Sequence, residues 1–328
     1  AVPPAPTVTN NCGNTVLTGG TPPSGITYYW QSSSTGTSTS FSQATITLYG
    51  GTTQYLRARN NTTGCWGDAR TISYSVNEVP AVPPAPTVTN NCGNTVLTRG
   101  TPPSGITYYW QSSSTGTSTA DSNTTLTRTS GTVYYLRARN NSSGCWGDAR
   151  TVSYSVNAIP AVPPAPTVTN NCGNTVLTRS TPPSGVTYYW QSSSTGTSTA
   201  DSNTTLTRTS GTVYYLRARN NTTGCWGAVQ TISYSINEVP AVPPAPTVTN
   251  NCGATVLTRS TPPSGITYYW QSSSTGTSTA DSNTTLTRST GTVYYLKARN
   301  NSTGCWGDAR TISYSINEVP AVPPAPTV

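Results

Sequence analysis

Short stretches in which apolar and polar residues alternate predict β-strands along the whole chain. The segments are rich in β-branched and aromatic residues, and turns with Gly, Pro or Asn separate them. In residues 81–160 they lie around Val96 and Leu97 and at 106–113, 124–129, 132–140 and 150–156. No stretch shows helical periodicity. The pattern is typical of an antiparallel β-sandwich with six or seven strands.

The strand predicted at 132–140 allows more than one register. Leu136 and Ala138 are its best inward pair, which also turns Tyr134 inward and the two arginines of the strand outward. The first part of the chain, however, has Gln54 at the position of Tyr134. Either this position lies at the mouth of the sandwich or a bulge shifts the register.

The whole pattern repeats every 80 residues, which predicts a tandem array. The phrase AVPPAPTV opens each copy and also ends the chain. We expect four β-sandwich domains at 1–80, 81–160, 161–240 and 241–320, and the start of a fifth repeat at 321–328, as in an excerpt from a longer array. Proline-rich joints such as 77–88 are semi-rigid, which favours an extended rod of roughly 150 Å.

Composition first raises the possibility of a disordered stalk, because Ser, Thr, Pro and Gly dominate. Against this stand 20 Tyr and 8 Trp, nearly all of which recur at the same positions in the copies. The net charge of +8 is spread over the copies and forms no basic stripe, so nucleic acid is not an expected partner. No apolar run approaches the ~18 residues that span a bilayer, so we expect no membrane insertion in this segment.

Two cysteines per copy predict disulfides and an oxidising compartment. They lie 53 residues apart within a copy and 27 apart across a boundary. Pairing within copies would use all eight and would stabilise each small core by about 4 kcal/mol. The expected bonds are therefore Cys12–Cys65, Cys92–Cys145, Cys172–Cys225 and Cys252–Cys305.

The sequence offers little for catalysis or metal binding. It has no His, no recurring pair of carboxylates and no nucleophile elbow. Two thiols per copy without His cannot complete a tetrahedral metal site. We expect neither enzyme activity nor a cofactor.

Two sets of aromatic residues remain as candidates for structural or binding roles. The first set lies in the middle of a predicted strand and is expected in the core: Trp30, Trp110, Trp190 and Trp270. The second set follows a cysteine and is accompanied by a cation, so that it either packs locally or contacts an external surface: Trp66, Trp146, Trp226 and Trp306, with Arg57, Arg137, Arg217 and Lys297.

Each copy resembles the immunoglobulin-like repeats of very long cell-surface proteins of Bacteroidetes, above all the gliding-motility adhesins of the SprB type. The most specific segments are PPAPTVTNNCGNTVLTRGTPPSGITYYWQSSSTGTST (83–119) and YYLRARNNSSGCWG (134–147). The cysteines depart from the antibody pattern, because Cys92 precedes its strand and Cys145 follows a turn. A bond between them is expected to tie one end of the sandwich.

The resemblance implies export through the outer membrane by the type IX system, an extracellular location on the cell surface, and attachment and gliding. It also implies contacts with the motility or secretion machinery through regions outside this segment. We expect a structural, filament-forming role. The alternative is a multivalent module that binds glycans or surfaces weakly through the second tryptophan set and the adjacent cations. Lateral self-association of the chains is a further possibility.

Overall fold

The computed structural model describes residues 1–323, and the regular structure in this part of the chain consists of β-strands. The predicted fifth repeat at 321–328 extends into 324–328, outside the described residues. Copy 1 contains β1 (Thr7–Asn11), β2 (Asn14–Thr18), β3 (Ile26–Gln31), β4 (Thr45–Leu48), β5 (Thr53–Asn60) and β6 (Arg70–Ser73). Copy 2 contains β7 (Thr87–Asn91), β8 (Asn94–Thr98), β9 (Ile106–Gln111), β10 (Thr125–Arg128), β11 (Val133–Asn140) and β12 (Arg150–Ser153).

The other two copies repeat this order. Copy 3 contains β13 (Thr167–Asn171), β14 (Asn174–Thr178), β15 (Val186–Gln191), β16 (Thr205–Arg208), β17 (Val213–Asn220) and β18 (Trp226–Ser233). Copy 4 contains β19 (Thr247–Asn251), β20 (Ala254–Thr258), β21 (Ile266–Gln271), β22 (Thr285–Arg288), β23 (Val293–Asn300) and β24 (Arg310–Ser313).

Each copy folds into two three-stranded antiparallel sheets. In copy 1 their strand orders are β1-β2-β4 and β3-β5-β6, and the equivalent strands pair in the same way in the other copies. The chain divides into two compact units, Ala1–Ala158 and a second that begins at Ile159, and each unit holds two copies. Each copy has a hydrophobic core of its own.

The core of a copy lies between its two sheets. In copy 2, Leu97 comes from one sheet, and Trp110, Leu136 and Ala138 come from the other. These four side chains are at most 2% exposed. Such complete burial is what a small sandwich needs, because little apolar area is available to it.

In β11, Leu136 and Ala138 point into the core, as the sequence analysis predicted. Tyr134 packs against the core at the end of the strand, and its pairing with Val152 shows no bulge at this position. The guanidinium carbon of Arg128 lies 4.6 Å from the centre of the Tyr134 ring. Copy 1 has Leu48 at the position of Arg128 and Gln54 at the position of Tyr134. The glutamine therefore occurs in the copy that also lacks the arginine of this contact.

Two features differ from the sequence expectation. The segment TVTNN at 87–91, for which the sequence analysis predicted no strand, forms the first strand of the copy. In copy 3 the last strand already begins at Trp226. There Ala228-Val229-Gln230 replaces Asp-Ala-Arg, and Val229 favours the extended strand.

Candidate functional site: the joint between repeats

Disulfide bonds join successive copies. Cys12 of copy 1 bonds to Cys145 of copy 2 with a Cα–Cα distance of 5.6 Å, and Cys172 bonds to Cys305 with a distance of 5.5 Å. Both bonds span 133 residues. Cys92 and Cys225 are disulfide-bonded too. Six of the eight cysteines are thus oxidised, which indicates an oxidising environment outside the cytoplasm.

The predicted pairing within copies is therefore wrong. Cys145 is bonded to Cys12 and not to Cys92, while Cys305 is bonded to Cys172 and not to Cys252. Cys172 is likewise unavailable to Cys225. Cys65 and Cys252 are free and exposed, so their predicted disulfides are also corrected.

The physical reason is that the two cysteines of a copy lie at opposite ends of its sandwich. The backbone of Cys12 forms an isolated parallel β-bridge with Asn77, where the chain leaves copy 1. Cys65 lies two residues before Gly67, which contacts Ala1, where the chain enters the copy. A disulfide requires Cα atoms within about 7 Å, so two cysteines at opposite ends of one sandwich cannot bond to each other. Each bond therefore joins a cysteine of one copy to a cysteine of the next.

The peptide linker passes through the same joint as the disulfide. The Gly13 amide donates a 2.7 Å hydrogen bond to the Asn77 carbonyl, and the Val79 side chain packs over Gly13. The linker then reaches copy 2, where the Pro80 carbonyl rests on Gly147. Copies 1 and 2 are therefore joined by two covalent connections, the peptide chain and the disulfide.

Gly147 is needed because any side chain there would collide with the linker. A Cβ atom at this position would overlap the Pro80 carbonyl oxygen, whereas one at Gly100 would meet nothing within 4 Å. We expect Gly147→Ala to lower the free energy of unfolding of copies 1 and 2 by about 1–3 kcal/mol through overpacking. The control Gly100→Ala should be neutral or slightly stabilising. Urea unfolding followed by tryptophan fluorescence compares the two, and equal midpoints would contradict this account of the joint.

A cleft lies where the linker meets copy 2. It encloses about 400 Å³ and is lined by Glu78, Pro80, Ile106, Tyr108 and Asn140, among others. The corresponding cleft of about 530 Å³ at copy 4 has Glu238, Tyr268 and Asn300 in its wall. The clefts at copies 2 and 4 are thus lined by the same glutamate, tyrosine and asparagine.

The second tryptophan set lies on the outer face of the longer sheet and is half-buried. The Trp146 ring centre is 5.4 Å from that of Tyr109, and the guanidinium of Arg137 lies 5.5 Å from the Trp146 ring centre. The other rings make the same tyrosine contact: Trp66 with Tyr29, Trp226 with Tyr189 and Trp306 with Tyr269. In every copy the ring therefore already has an aromatic neighbour.

The cations beside these rings have structural partners. Arg137 donates hydrogen bonds of 2.8 Å to the carbonyls of Gly147 and Gly116. Arg57 and Arg217 bond to the equivalent carbonyls of Gly67 and Gly36, and of Gly227 and Gly196. Lys297 is only 8% exposed, with its ammonium 5.7 Å from the Trp306 ring centre. The candidate surface contacts of the sequence analysis thus pack against one another in one layer, and the three arginines also bond to the glycine that follows the tryptophan.

The first tryptophan set lies in the core. Trp30, Trp110, Trp190 and Trp270 are each 2% exposed. Each indole N–H donates to a backbone carbonyl 13 residues further on, as Trp110 does to Asn123 at 3.0 Å. The sequence analysis missed the adjacent glutamine, Gln111, which is 2% exposed and exchanges two hydrogen bonds with the Ser118 backbone.

Copy 1 has a cavity beside the residue that follows its second strand, a position that is arginine in the other three copies. Arg99 donates hydrogen bonds to the carbonyls of Asn123, Ser122 and Gly100, and it lies over the Tyr108 ring. Gly19 stands at the equivalent position of copy 1. There a cavity of about 210 Å³ reaches the core residues Trp30 and Leu56.

Filling this cavity is expected to stabilise copy 1. A Cβ at Gly19 would make only ordinary contacts, and Gly19→Arg supplies the guanidinium that the other copies use. We expect a gain of about 1 kcal/mol, from lower backbone entropy in the unfolded chain and from the added hydrogen bonds. Gly50→Ser, the residue found at Ser130 and Ser210, is the control, because a Cβ at Gly50 would meet nothing within 4 Å. Unfolding curves in urea measure both, and no gain for Gly19→Arg over Gly50→Ser would refute the prediction.

Within the described part of the chain, no group of three or more His, Cys, Asp or Glu is placed to hold a metal ion. Over the same residues, no helix has the length and apolar character to cross a membrane.

No known protein family matches the chain, and no curated protein matches it either.

Proposed function

We propose that the chain is a structural segment of a large secreted cell-surface adhesin, in which each copy is one immunoglobulin-like domain. The segment serves as a stiff, extended filament that supports surface attachment and gliding motility. The observation that carries this proposal is the disulfide between successive copies, seen at Cys12–Cys145 and Cys172–Cys305.

A joint with two covalent connections resists bending and twisting better than a single linker does. Asn77 is held by Gly13, and Pro83 accepts a 2.9 Å hydrogen bond from Arg150 of copy 2. Only residues 78–82 lie between these fixed points, and the disulfide spans the same gap. Load can therefore pass from copy to copy even if a protease cuts the linker.

Small-angle scattering of the intact chain with and without reductant tests the filament. Under oxidising conditions we expect a rod with a maximum dimension of roughly 150 Å. After reduction we expect the rod-like profile to be lost while the tryptophan fluorescence of folded domains remains. A compact or coil-like profile under oxidising conditions would overturn the proposal.

Labelling of intact cells with a probe against the repeat tests the location. The proposal predicts staining without lysis, and staining only after lysis would contradict it.

Weak, multivalent binding of polysaccharide or of another external surface is the second candidate function. It is favoured by the recurrence of a half-buried tryptophan beside a cation in all four copies. Trp146→Ala together with the equivalent changes at Trp66, Trp226 and Trp306 is expected to abolish retention on a glycan array or surface. Tyr49→Ala, at a tyrosine that is 78% exposed and outside this layer, is the control. Equal retention by both variants, or none by the unaltered chain, would exclude this function.

A further inference from the structure

Each copy has an arginine whose guanidinium is not used by the fold. Arg139 is half-buried, yet within residues 1–323 its side chain makes no hydrogen bond and no ion pair. Arg137, on the same face of β11, instead donates to the carbonyls of Gly147 and Gly116. In the other copies the arginine without such a partner is Arg59, Arg219 or Arg299. No unpartnered side-chain nitrogen of the described residues is buried, so the free N–H groups of these arginines face solvent.

This arginine stands in a row across the outer face of the longer sheet. Thr107 of β9 lies directly opposite Arg139, and Trp146 forms an antiparallel bridge with Arg139 on its other side. Residues that lie opposite each other in antiparallel strands point to the same face, so the three side chains are neighbours. The guanidinium is 6.0 Å from the tryptophan ring centre in three copies, for the pairs Arg59–Trp66, Arg219–Trp226 and Arg299–Trp306. We call these three side chains the Thr–Arg–Trp row.

No acidic side chain of the described residues neutralises the row by an ion pair. Asp148, two residues after Trp146, makes no ion pair with Arg139. Copy 3 keeps the row although it has Ala228 at the position of Asp148. A free guanidinium offers a planar fork of N–H donors that matches a carboxylate or a sulfate. The tryptophan beside it offers an apolar ring face, against which the C–H groups of a sugar can pack.

We propose that the Thr–Arg–Trp rows bind an acidic polysaccharide, in which the guanidinium holds a carboxylate or sulfate and the indole contacts the sugar ring. The proposal rests on the second candidate function and names the class of its ligand. A single exposed ion pair contributes little to binding. The affinity therefore comes from several rows of one chain that engage a polymer with repeating acidic groups.

Surface plasmon resonance of the full chain on immobilised polygalacturonate, dextran sulfate and neutral dextran tests the ligand class. We expect binding to at least one acidic polymer, and binding to dextran that is weaker by about tenfold or more. Added salt should weaken the binding, because it screens exposed charges. Binding to polygalacturonate alone assigns the site to carboxylates, and binding to dextran sulfate alone assigns it to sulfates.

Two variants that remove the same number of positive charges test the residues. The first carries Arg59→Gln, Arg139→Gln, Arg219→Gln and Arg299→Gln, and its affinity for the acidic polymer should fall by about tenfold or more. The control carries Arg99→Gln, Arg128→Gln, Arg208→Gln and Arg288→Gln, at arginines that already donate hydrogen bonds within the protein. Copy 1 has Gly19 and Leu48 at the positions of Arg99 and Arg128, so the fold tolerates their loss. The control should keep most of the affinity.

Equal losses of affinity in the two variants would overturn the proposal, because only the net charge would then matter. Equal binding of dextran and of the acidic polymers would overturn it as well. If the fourfold tryptophan variant described above lost binding while the first arginine variant kept it, this proposal would fail and the second candidate function would stand. Absence of binding to all three polymers by the unaltered chain would exclude the acidic polysaccharide, and retention on another surface would then still support the second candidate function.

Discussion

Replacing Cys12 with serine is expected to destabilise copies 1 and 2 more than any other single change outside their cores. The bond to Cys145 closes a loop across 133 residues, and the chain-entropy relation assigns such a loop about 5 kcal/mol. The change also leaves the Cys145 thiol, which is 1% exposed, without its partner. Urea unfolding followed by tryptophan fluorescence measures the loss.

Cys65→Ser is the matched control for Cys12→Ser. Because Cys65 is free and exposed, its replacement should change the stability by less than about 0.5 kcal/mol at low protein concentration. The contrast separates the two possible pairings, since a bond within copy 1 would make both variants equally unstable. Equal losses would therefore contradict the joint described here.

Trp110→Ala is expected to cost copy 2 about 3–5 kcal/mol. The indole is 2% exposed between the two sheets, so its removal leaves a cavity in the centre of the core. The change also deprives the Asn123 carbonyl of its hydrogen bond from the indole N–H. The measurement is again the unfolding midpoint in urea.

Trp146→Ala provides the comparison, because the same side chain is removed from a half-buried position. Its loss should be clearly smaller, about 1–2 kcal/mol, since the ring buries less area and lies outside the core. If both tryptophan variants lost the same stability, the assignment of Trp110 to the core and of Trp146 to the outer layer would be wrong.

The strands and the core were accessible from the sequence because each depends on local patterns. Alternation around Leu136 and Ala138 gives the register of β11, and the turns with Gly and Pro separate the strands. The strand at Thr87–Asn91 was not accessible in this way. Its side chains are mostly exposed, so no apolar alternation indicates it, and its pairing with β8 decides its conformation.

The disulfide pairing could not be derived from spacing alone, because spacing along the chain does not say at which end of a sandwich each cysteine lies. Because each copy has two cysteines, the count of eight fits pairing within copies, and it favoured this pairing over the observed one between successive copies. One signal was present in the sequence: Gly147 follows Cys145 closely, and the same glycine recurs two residues after the second cysteine of every copy. Its cause, the linker carbonyl that rests on it, appears only in three dimensions.

Peptide mapping of the non-reduced protein tests the link between successive copies most directly. Trypsin places Cys12 in the peptide 1–57, and it places Cys65, Cys145 and Cys305 in the peptides 60–70, 140–150 and 300–310, which differ in mass. We expect the peptide 1–57 joined to 140–150, and the peptide 151–179, which contains Cys172, joined to 300–310. A peptide 1–57 joined to 60–70 would show bonds within copies and would contradict the account.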